Sequence, residues 1–283
     1  MAREAIVKIV RDDGKEFLID GNEYFLTPDG LVGVDFADWS IYTEPLAFKD
    51  GSVVTGASFT GRPITLTFFD RKTEDMSREV VRKFFNARGL YVIYVTLNGI
   101  TRWITGVIQT FAEPTDTNGK YTKCTVGIFC EDPFFNSMEE EWNDLQKIKP
   151  MFGFPYISTE EHPSVMSVYV FGEYVRFENN GDVDTSFAVF LYFTGNVTNP
   201  VIYQGYREHK FQLNGTFTED DIVFIDFDTA TVYKNGVSCW NLVDKDSELL
   251  EVPRGGTYLS STAEEGEELL HCVVNYSEKY AGV

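Results

Sequence analysis

Turn-forming residues recur in the second half of this chain at intervals of about ten positions, and they separate short segments rich in β-branched and aromatic residues. Residues 177–203 show the pattern most clearly. There, Asn180-Gly181-Asp182 supplies the positive-φ residue that a hairpin-type turn needs between one strand and the next. A third strand follows Pro200, which ends the preceding strand because proline has no backbone N–H to donate. This spacing predicts an antiparallel β-sandwich.

The first half of the chain shows the alternation of a half-buried strand. Ile64, Leu66 and Phe68 alternate with Thr65 and Thr67, so one face of this strand is expected to be buried. We expect turns in this half at Asp13-Gly14, Pro28-Asp29-Gly30, Asn98-Gly99 and Asn118-Gly119.

Residues 74–88 have helical periodicity instead. Thr73 is placed to cap the start of this helix, and Gly89 is placed to end it. The side chains expected to form its apolar stripe are Met76, Val80, Val81, Phe84 and Phe85.

The strand pattern is interrupted at residues 133–156, which contain three prolines and an acidic run. We place a domain boundary near residue 148, within about ten residues, which gives domains at 1–148 and 149–283. The expected fold class is mainly β, with an α+β sandwich containing one helix followed by an antiparallel β-sandwich. Turns in the second domain are expected at Asn214-Gly215, Asp228-Thr229 and Asn235-Gly236.

Three segments, in this order and spacing, resemble the distal tail proteins of long-tailed, non-contractile bacteriophages. The first is FTGRPITLTFF at residues 59–69, and the second is FCEDPFF at residues 129–135. The third is FENNGDVDTSFAVFLYFTGNVTNPVIY at residues 177–203. The resemblance spans roughly residues 51 to 259.

The resemblance implies a structural protein of the virion, assembled in the host cytoplasm, and not an enzyme. It implies a ring, usually a hexamer, formed by the first domain and lying between the tail tube protein and the tail tip protein or tail-associated lysin. The second domain would be galectin-like and would point toward baseplate components or a receptor-binding protein.

The formal net charge is −20, from 44 acidic and 24 basic residues. Such a surface repels phosphate backbones, so we do not expect nucleic-acid binding. The sequence has no apolar run of the length of a signal peptide or a membrane span. We therefore expect neither export by a recognisable signal nor a membrane-spanning segment.

The four cysteines are expected to be buried free thiols from a reducing compartment. Cys124 and Cys130 lie six residues apart on one predicted strand, roughly 20 Å apart and too far for a disulfide. Cys239 and Cys272 complete no metal-binding spacing.

Several groups of residues are candidates for a functional site. Asp226 and Asp228 could hold calcium, although an exposed strand face and a turn explain them more simply. Ser58 lies in a sequence that superficially resembles a nucleophile elbow, but Thr60 stands where the second glycine belongs. We therefore predict no catalytic, cofactor-binding or metal-binding residue, and no cofactor.

The alternative function is a carbohydrate-binding module that assists attachment to the host surface. Sugar-binding members of the galectin fold place a tryptophan beside a His/Asn/Arg cluster. Trp240 is accompanied by no such cluster in the sequence, so the resemblance implies the fold and not the sugar site. The large apolar residues near the boundary are expected either to pack locally or to form a partner interface. They are Phe134, Phe135, Trp142, Met151, Phe152, Phe154 and Tyr156.

Overall fold

The structure, a computed structural model, describes residues 5–70, 75–85, 88–113, 122–145, 147–150, 167–170 and 173–283. It divides into two units: unit 1 contains Met1–Met138 and Lys279–Val283, and unit 2 contains Glu139–Glu278. The two compact units thus divide after residue 138, which is within the ten-residue margin given for the boundary predicted near residue 148, and residues 279–283 group with unit 1. The mainly β fold with one helix is confirmed for the described residues.

Unit 1 is built from antiparallel strands and one helix. Its strands follow the hydrogen-bonded order β2–β1–β7–β8–β9–β6–β3, and β4 and β5 form a separate two-stranded ribbon. Its elements are β1 (Ala5–Arg11), β2 (Glu16–Ile19), β3 (Tyr24–Val32), β4 (Trp39–Pro45), β5 (Ser52–Phe59), β6 (Arg62–Asp70), α1 (Asp75–Phe84), β7 (Leu90–Leu97), β8 (Ile100–Ala112) and β9 (Thr122–Cys130). The first residues of β10 (Phe135–Asp144) pair with β8.

The alternation predicted for residues 64–69 is confirmed. Ile64, Leu66 and Phe68 are completely buried in the core of unit 1, while the residues between them are partly exposed. The Asn98-Gly99 turn is also confirmed, with φ of 53° and 84° at its two residues. The turn expected at Asn118-Gly119 lies outside the described residues.

The helix is shorter than predicted, because α1 ends at Phe84 instead of Arg88. Two side chains take the backbone carbonyl groups at its end. Arg11 donates from Nη1 to the carbonyls of Lys83 (2.8 Å) and Phe84 (2.9 Å), and the Tyr91 hydroxyl also donates to Phe84 (2.9 Å). These bonds satisfy carbonyls that have no partner within the helix.

The buried stripe of the helix is confirmed at Val81, Phe84 and Phe85. The prediction was wrong for Val80, which is more than half exposed. Thr73 lies outside the described residues, as does the side chain of Met76.

The turn predicted at Pro28-Asp29-Gly30 is wrong. This sequence lies within the continuous strand β3, whose pairing with β6 shifts register between Leu26 and Leu31. Such a bulge leaves residues without ladder bonds, so Pro28 needs no donor there. Gly30 is required because a Cβ atom would lie 2.1 Å from the carbonyl oxygen of Thr67.

Unit 2 is a sandwich of antiparallel strands. One sheet follows the order β24–β14–β19–β20–β21, and the other follows β13–β23–β16–β17. Buried apolar side chains from both sheets form one core. Its strands are β11 (Lys147–Pro150), β12 (Ser167–Val170), β13 (Val175–Phe177), β14 (Thr185–Phe193), β15 (Val197–Thr198), β16 (Val201–Gln204), β17 (His209–Gln212), β18 (Thr216–Phe217), β19 (Ile222–Asp226), β20 (Thr231–Lys234), β21 (Val237–Ser238), β22 (Glu251–Val252), β23 (Thr257–Thr262) and β24 (Leu270–Tyr280).

The hairpins predicted for unit 2 are partly confirmed. Strands β19 and β20 pair around Asp228-Thr229, and β20 and β21 pair around Asn235-Gly236. The strands on either side of Asn180-Gly181-Asp182 do not pair, because β13 pairs with β23 and β14 with β24 and β19. Within residues 177–203, the positive-φ residue is instead Asn199, with φ at 49°.

The Asn214-Gly215 prediction was also wrong. The strands before and after this turn, β17 and β18, pair with β16 and β15 respectively. Long-range pairing, which turn residues alone do not specify, decides both cases.

Candidate interaction surfaces

The ribbon of β4 and β5 carries more exposed large apolar side chains than any other part of unit 1 that the structure describes. Its two strands pair from Trp39–Phe59 at one end to Pro45–Ser52 at the other. At about 3.3 Å per residue, seven residues carry the ribbon roughly 20 Å from its base.

Aromatic packing holds the base of this ribbon. The rings of Trp39 and Phe59 stack with centroids 5.2 Å apart, and Phe36 lies 6.2 Å from each of them. Phe134 meets Phe59 edge to face at 4.9 Å. Phe134 therefore packs locally, and Phe135 is completely buried in unit 1. The boundary residues Met151, Phe152, Phe154 and Tyr156 lie outside the described residues.

Beyond its base, the ribbon presents apolar side chains to solvent on both strands and at its tip. Phe48 at the tip is fully exposed, with φ at 64°. The other large apolar residues exposed here are Ile41, Tyr42, Leu46, Val53 and Val54. Exposed apolar clusters of this kind mark protein–protein contact sites.

A second notable feature of unit 1 is the buried guanidinium of Arg62. Its Nε donates to the carbonyl of Pro133 (2.6 Å), and its Nη1 donates to those of Gly33 (2.9 Å) and Asp35 (2.7 Å). Its Nη2 donates to the carbonyl of Ala281. Burial lowers the pKa of Arg62, but an arginine stays cationic in proteins. The side chain acts as a cationic hub for backbone carbonyls.

The Arg62 site joins the first two segments that carry the family resemblance. Strand β6 pairs with β9 so that Arg62 lies opposite Cys130. The guanidinium also lies over the ring of Phe135, 4.9 Å from its centroid. The sequence showed both segments but gave no sign that they meet, because the bonds are to backbone atoms.

Unit 2 carries an aromatic row on the sheet face opposite its core. Phe190 on β14 lies beside Phe224 on β19, with ring centroids 4.8 Å apart, and Phe224 lies beside Tyr233 on β20. On the other side, Trp142 stacks on Phe190 at 5.8 Å. The Trp142 indole donates to Glu140 at 3.3 Å. More than half of Trp142 is exposed, so the partner-interface interpretation stays open for this residue.

The acidic pair considered for calcium serves a turn. Asp226 accepts from the backbone N–H groups of Asp228 (2.9 Å) and Thr229 (3.3 Å) and from the Thr229 hydroxyl (2.7 Å). Among the described residues, no group of three or more His, Cys, Asp or Glu side chains is arranged to hold a metal ion.

The two other candidates, Ser58 and Trp240, and the exposed His209 each contact a neighbouring side chain within their own unit. Ser58 lies on β5, and its hydroxyl is 2.9 Å from that of Tyr42. Trp240 begins a 3-10 turn and meets Phe211 edge to face at 6.3 Å. His209 pairs with Glu248 at 2.6 Å.

All four cysteines are buried free thiols, as predicted. Burial raises the pKa of the Cys130 thiol to about 12, with Arg62 opposing the shift and Asp132 adding to it. Burial likewise raises the pKa of Cys272. Neither group has the lowered pKa of a reactive thiol.

Comparison with known families identifies the larger part of unit 2. Residues 180–280 match the siphovirus-type tail component, C-terminal domain. Unit 2 contains a siphovirus tail component domain. This domain includes most of the third segment that carried the resemblance, so the resemblance to the distal tail family is confirmed. Curated protein sequences give no match to this chain.

Solved phage structures share the fold of the chain beyond this tail component domain. The crystal structure of the Dit (gp 19.1) protein of phage SPP1, described as a paradigm of the hub adsorption apparatus in Gram-positive infecting phages, has a TM-score of 0.70 at 14% identity. The similarity covers 96% of this chain and 98% of that one.

Structures of the phage P2 baseplate in its activated conformation are also similar. The form with calcium has a TM-score of 0.55 at 8% identity, and the form with strontium has 0.51 at 10%. Each covers 99% of both chains. At these identities the similarity establishes the fold. No helix within the described ranges has the length and hydropathy to cross a membrane.

Proposed function

We propose that this chain is the distal tail hub protein of a long-tailed, non-contractile bacteriophage. Copies of unit 1 form a closed ring that joins the tail tube to the tail tip protein. The protein acts by assembly and not by catalysis, and it resides in the virion at the tail tip.

The ribbon of β4 and β5 is the observation that carries this proposal. Its base is fixed by aromatic packing, but the side chains beyond the base meet solvent within this chain. Burial of apolar surface contributes about 25 cal/mol per Å², so covering these side chains strongly favours association. A contact in which each copy covers the ribbon of the next is heterologous, and such contacts close into a ring when the rotation between neighbouring copies divides a full turn. The resemblance of the sequence implies six copies.

Unit 2 supplies a second surface for partners. Its aromatic row lies outside the core, and interfaces are enriched in tyrosine, tryptophan and phenylalanine. In the proposed hub, unit 2 presents this surface to baseplate or receptor-binding components, while the acidic protein surface disfavours nucleic acid.

The mass of the purified full-length protein tests the ring, measured by native mass spectrometry and by light scattering over a range of concentrations and salt. We expect a closed oligomer, with a hexamer as the main species. Replacing Ile41 and Val54 together by serine should shift the population to monomer, because both side chains are exposed on the ribbon. Val80→Ser is the matched control, since Val80 is similarly exposed on α1 and should leave the oligomer unchanged. A wild-type protein that is monomeric under every condition would contradict the proposal.

Carbohydrate binding by unit 2 is the second candidate, and the aromatic row favours it because sugar rings stack on aromatic faces. Titration of the full chain with maltotetraose and chitotetraose separates the two. The hub proposal predicts no binding tighter than a Kd of about 1 mM, which corresponds to only about −4 kcal/mol. Micromolar binding that is lost in Trp142→Ala would favour the carbohydrate-binding module.

A further inference from the structure

Residues 279–283 follow unit 2 in the sequence but belong to unit 1. Two backbone hydrogen bonds attach this segment to residues 34–37. Ala37 donates to the carbonyl of Ala281 (2.9 Å), and Val283 donates to that of Val34 (3.0 Å). The segment is thus joined to the rest of unit 1 through its backbone as well as its side chains.

Residues 279–283 pack closely against the rest of unit 1. Ala281 is completely buried, and Val283 packs against the core of unit 1. A Cβ atom on Gly282 would lie 2.9 Å from the backbone carbonyl carbon of Asp35. That atom belongs to the backbone and not to a movable side chain, so only glycine fits at position 282.

Two arginines of unit 1 hold the carbonyl groups of the segment. Arg62 donates to Ala281, and Arg102 donates to Gly282 while its guanidinium lies 3.4 Å from the centroid of the Tyr280 ring. Lys279 adds an ion pair with Asp132 at 2.9 Å. Every residue of the segment therefore has a specific contact with the rest of unit 1.

We infer that residues 279–283 complete the fold of unit 1. Unit 1 can assemble into the ring only when this segment is bound in the position described. Arg62 makes the dependence strong because it is buried, and a buried donor left without a partner is costly. Since the segment lies after unit 2 in the chain, unit 1 stays incomplete until both units have been synthesised. Chains shortened before residue 279 are thereby kept out of the ring.

The part of this inference that concerns assembly rests on the proposed ring, whereas the part that concerns the completion of unit 1 does not. Hydrogen exchange, resolved by peptide, addresses the second part directly. We compare the full chain with a chain ending at Glu278. Amides of residues 33–37 and of β6 should exchange at least tenfold faster in the shortened chain, while β14 and β19 in unit 2 keep their protection.

A point variant and an added peptide make the test specific. Gly282→Ala should reproduce the faster exchange at residues 33–37, whereas Gly56→Ala should not, because a Cβ there meets only the Tyr42 ring at 3.7 Å. The peptide Lys-Tyr-Ala-Gly-Val, added in millimolar excess to the shortened chain, should restore protection. A peptide with alanine in place of glycine should not.

The outcomes separate the inference from the ring proposal. Unchanged exchange at residues 33–37 in the shortened chain would overturn the inference whatever the oligomeric state. Faster exchange in a shortened chain that still forms the wild-type oligomer would overturn its assembly part. Faster exchange, loss of the oligomer and recovery of both with the peptide would support it in full. If the full chain itself is monomeric, the ring proposal fails, and the exchange data decide the completion of unit 1 alone.

Discussion

The guanidinium of Arg62 donates a hydrogen bond to the backbone carbonyl of Ala281, a residue 219 positions later in the sequence. The same side chain binds the carbonyls of Gly33, Asp35 and Pro133. One cation thus connects β6 with the loop after β3, the segment before β10 and the end of the chain. This contact makes Arg62 the first position to test.

Arg62→Met should destabilise unit 1 by at least about 3 kcal/mol. It removes the donor to the backbone carbonyls of Gly33, Asp35 and Pro133, and each unsatisfied buried polar group costs about 1–3 kcal/mol. The Ala281 carbonyl also loses a bond but keeps the one from the N–H of Ala37. Urea denaturation, with hydrogen exchange to assign the loss to unit 1, measures the effect. Arg176→Met is the control, because Arg176 is exposed and makes only a 3.5 Å ion pair with Glu178, and it should change stability by less than about 1 kcal/mol. Equal effects of the two substitutions would show that the hydrogen bonds of Arg62 to backbone carbonyls do not stabilise unit 1.

Phe84→Ala should cost about 3–5 kcal/mol, as expected for removal of a large buried side chain. The Phe84 ring packs on those of Phe17 (5.2 Å), Phe85 (5.0 Å) and Tyr91 (5.9 Å). Val80→Ala on the same helix should change stability by no more than about 0.5 kcal/mol, since Val80 is largely exposed. The midpoint of urea unfolding compares the two. A large effect of Val80→Ala would mean that the helix buries a different face.

Asp221 should contribute to the acid sensitivity of unit 2. Burial disfavours its charged form, but bonds from the Thr218 N–H, the Lys234 ammonium and the Asn235 amide outweigh burial and lower its pKa from 3.8 to about 2. The folded state therefore favours the ionised form. This stabilisation is present in full above about pH 4 and is lost as the pH falls toward 2. The shift corresponds to about 2 kcal/mol.

Urea unfolding of wild type, Asp221→Asn and Asp220→Asn between pH 5 and 2 measures the contribution of Asp221. Asp221→Asn should be less stable at pH 5 and should lose less stability on acidification than wild type. Asp220 is the neighbouring exposed carboxylate, and its variant should follow wild type. Parallel curves for wild type and Asp221→Asn would refute the assignment.

No cysteine should react with an aromatic disulfide reagent at pH 8 in the folded protein. All four thiols are buried, and burial raises the pKa of Cys130 to about 12, so its thiolate is scarce. Four equivalents should react after denaturation in guanidinium chloride. Rapid reaction of one thiol in the native protein would reveal local opening, and mass spectrometry of the labelled peptide would locate it.

The sequence by itself determined features that depend on neighbouring residues. The two-residue period identified the buried face of β6, and the helical period identified Val81, Phe84 and Phe85. The Asn-Gly pairs at 98–99 and 235–236 located hairpins because their positive-φ residues are local requirements. The three segments that carried the family resemblance likewise needed no structure.

Only the tertiary structure decided which distant parts meet. The turn residues near Asn180 and Asn214 were visible in the sequence, but the pairing of the strands beside them was not. The bonds by which Arg11 and Tyr91 satisfy the last carbonyls of the helix were not visible in the sequence. The seat of residues 279–283 depends on arginine bonds to backbone oxygens. Every residue carries such an oxygen, so these contacts have no sequence signature and exist only once the chain has folded.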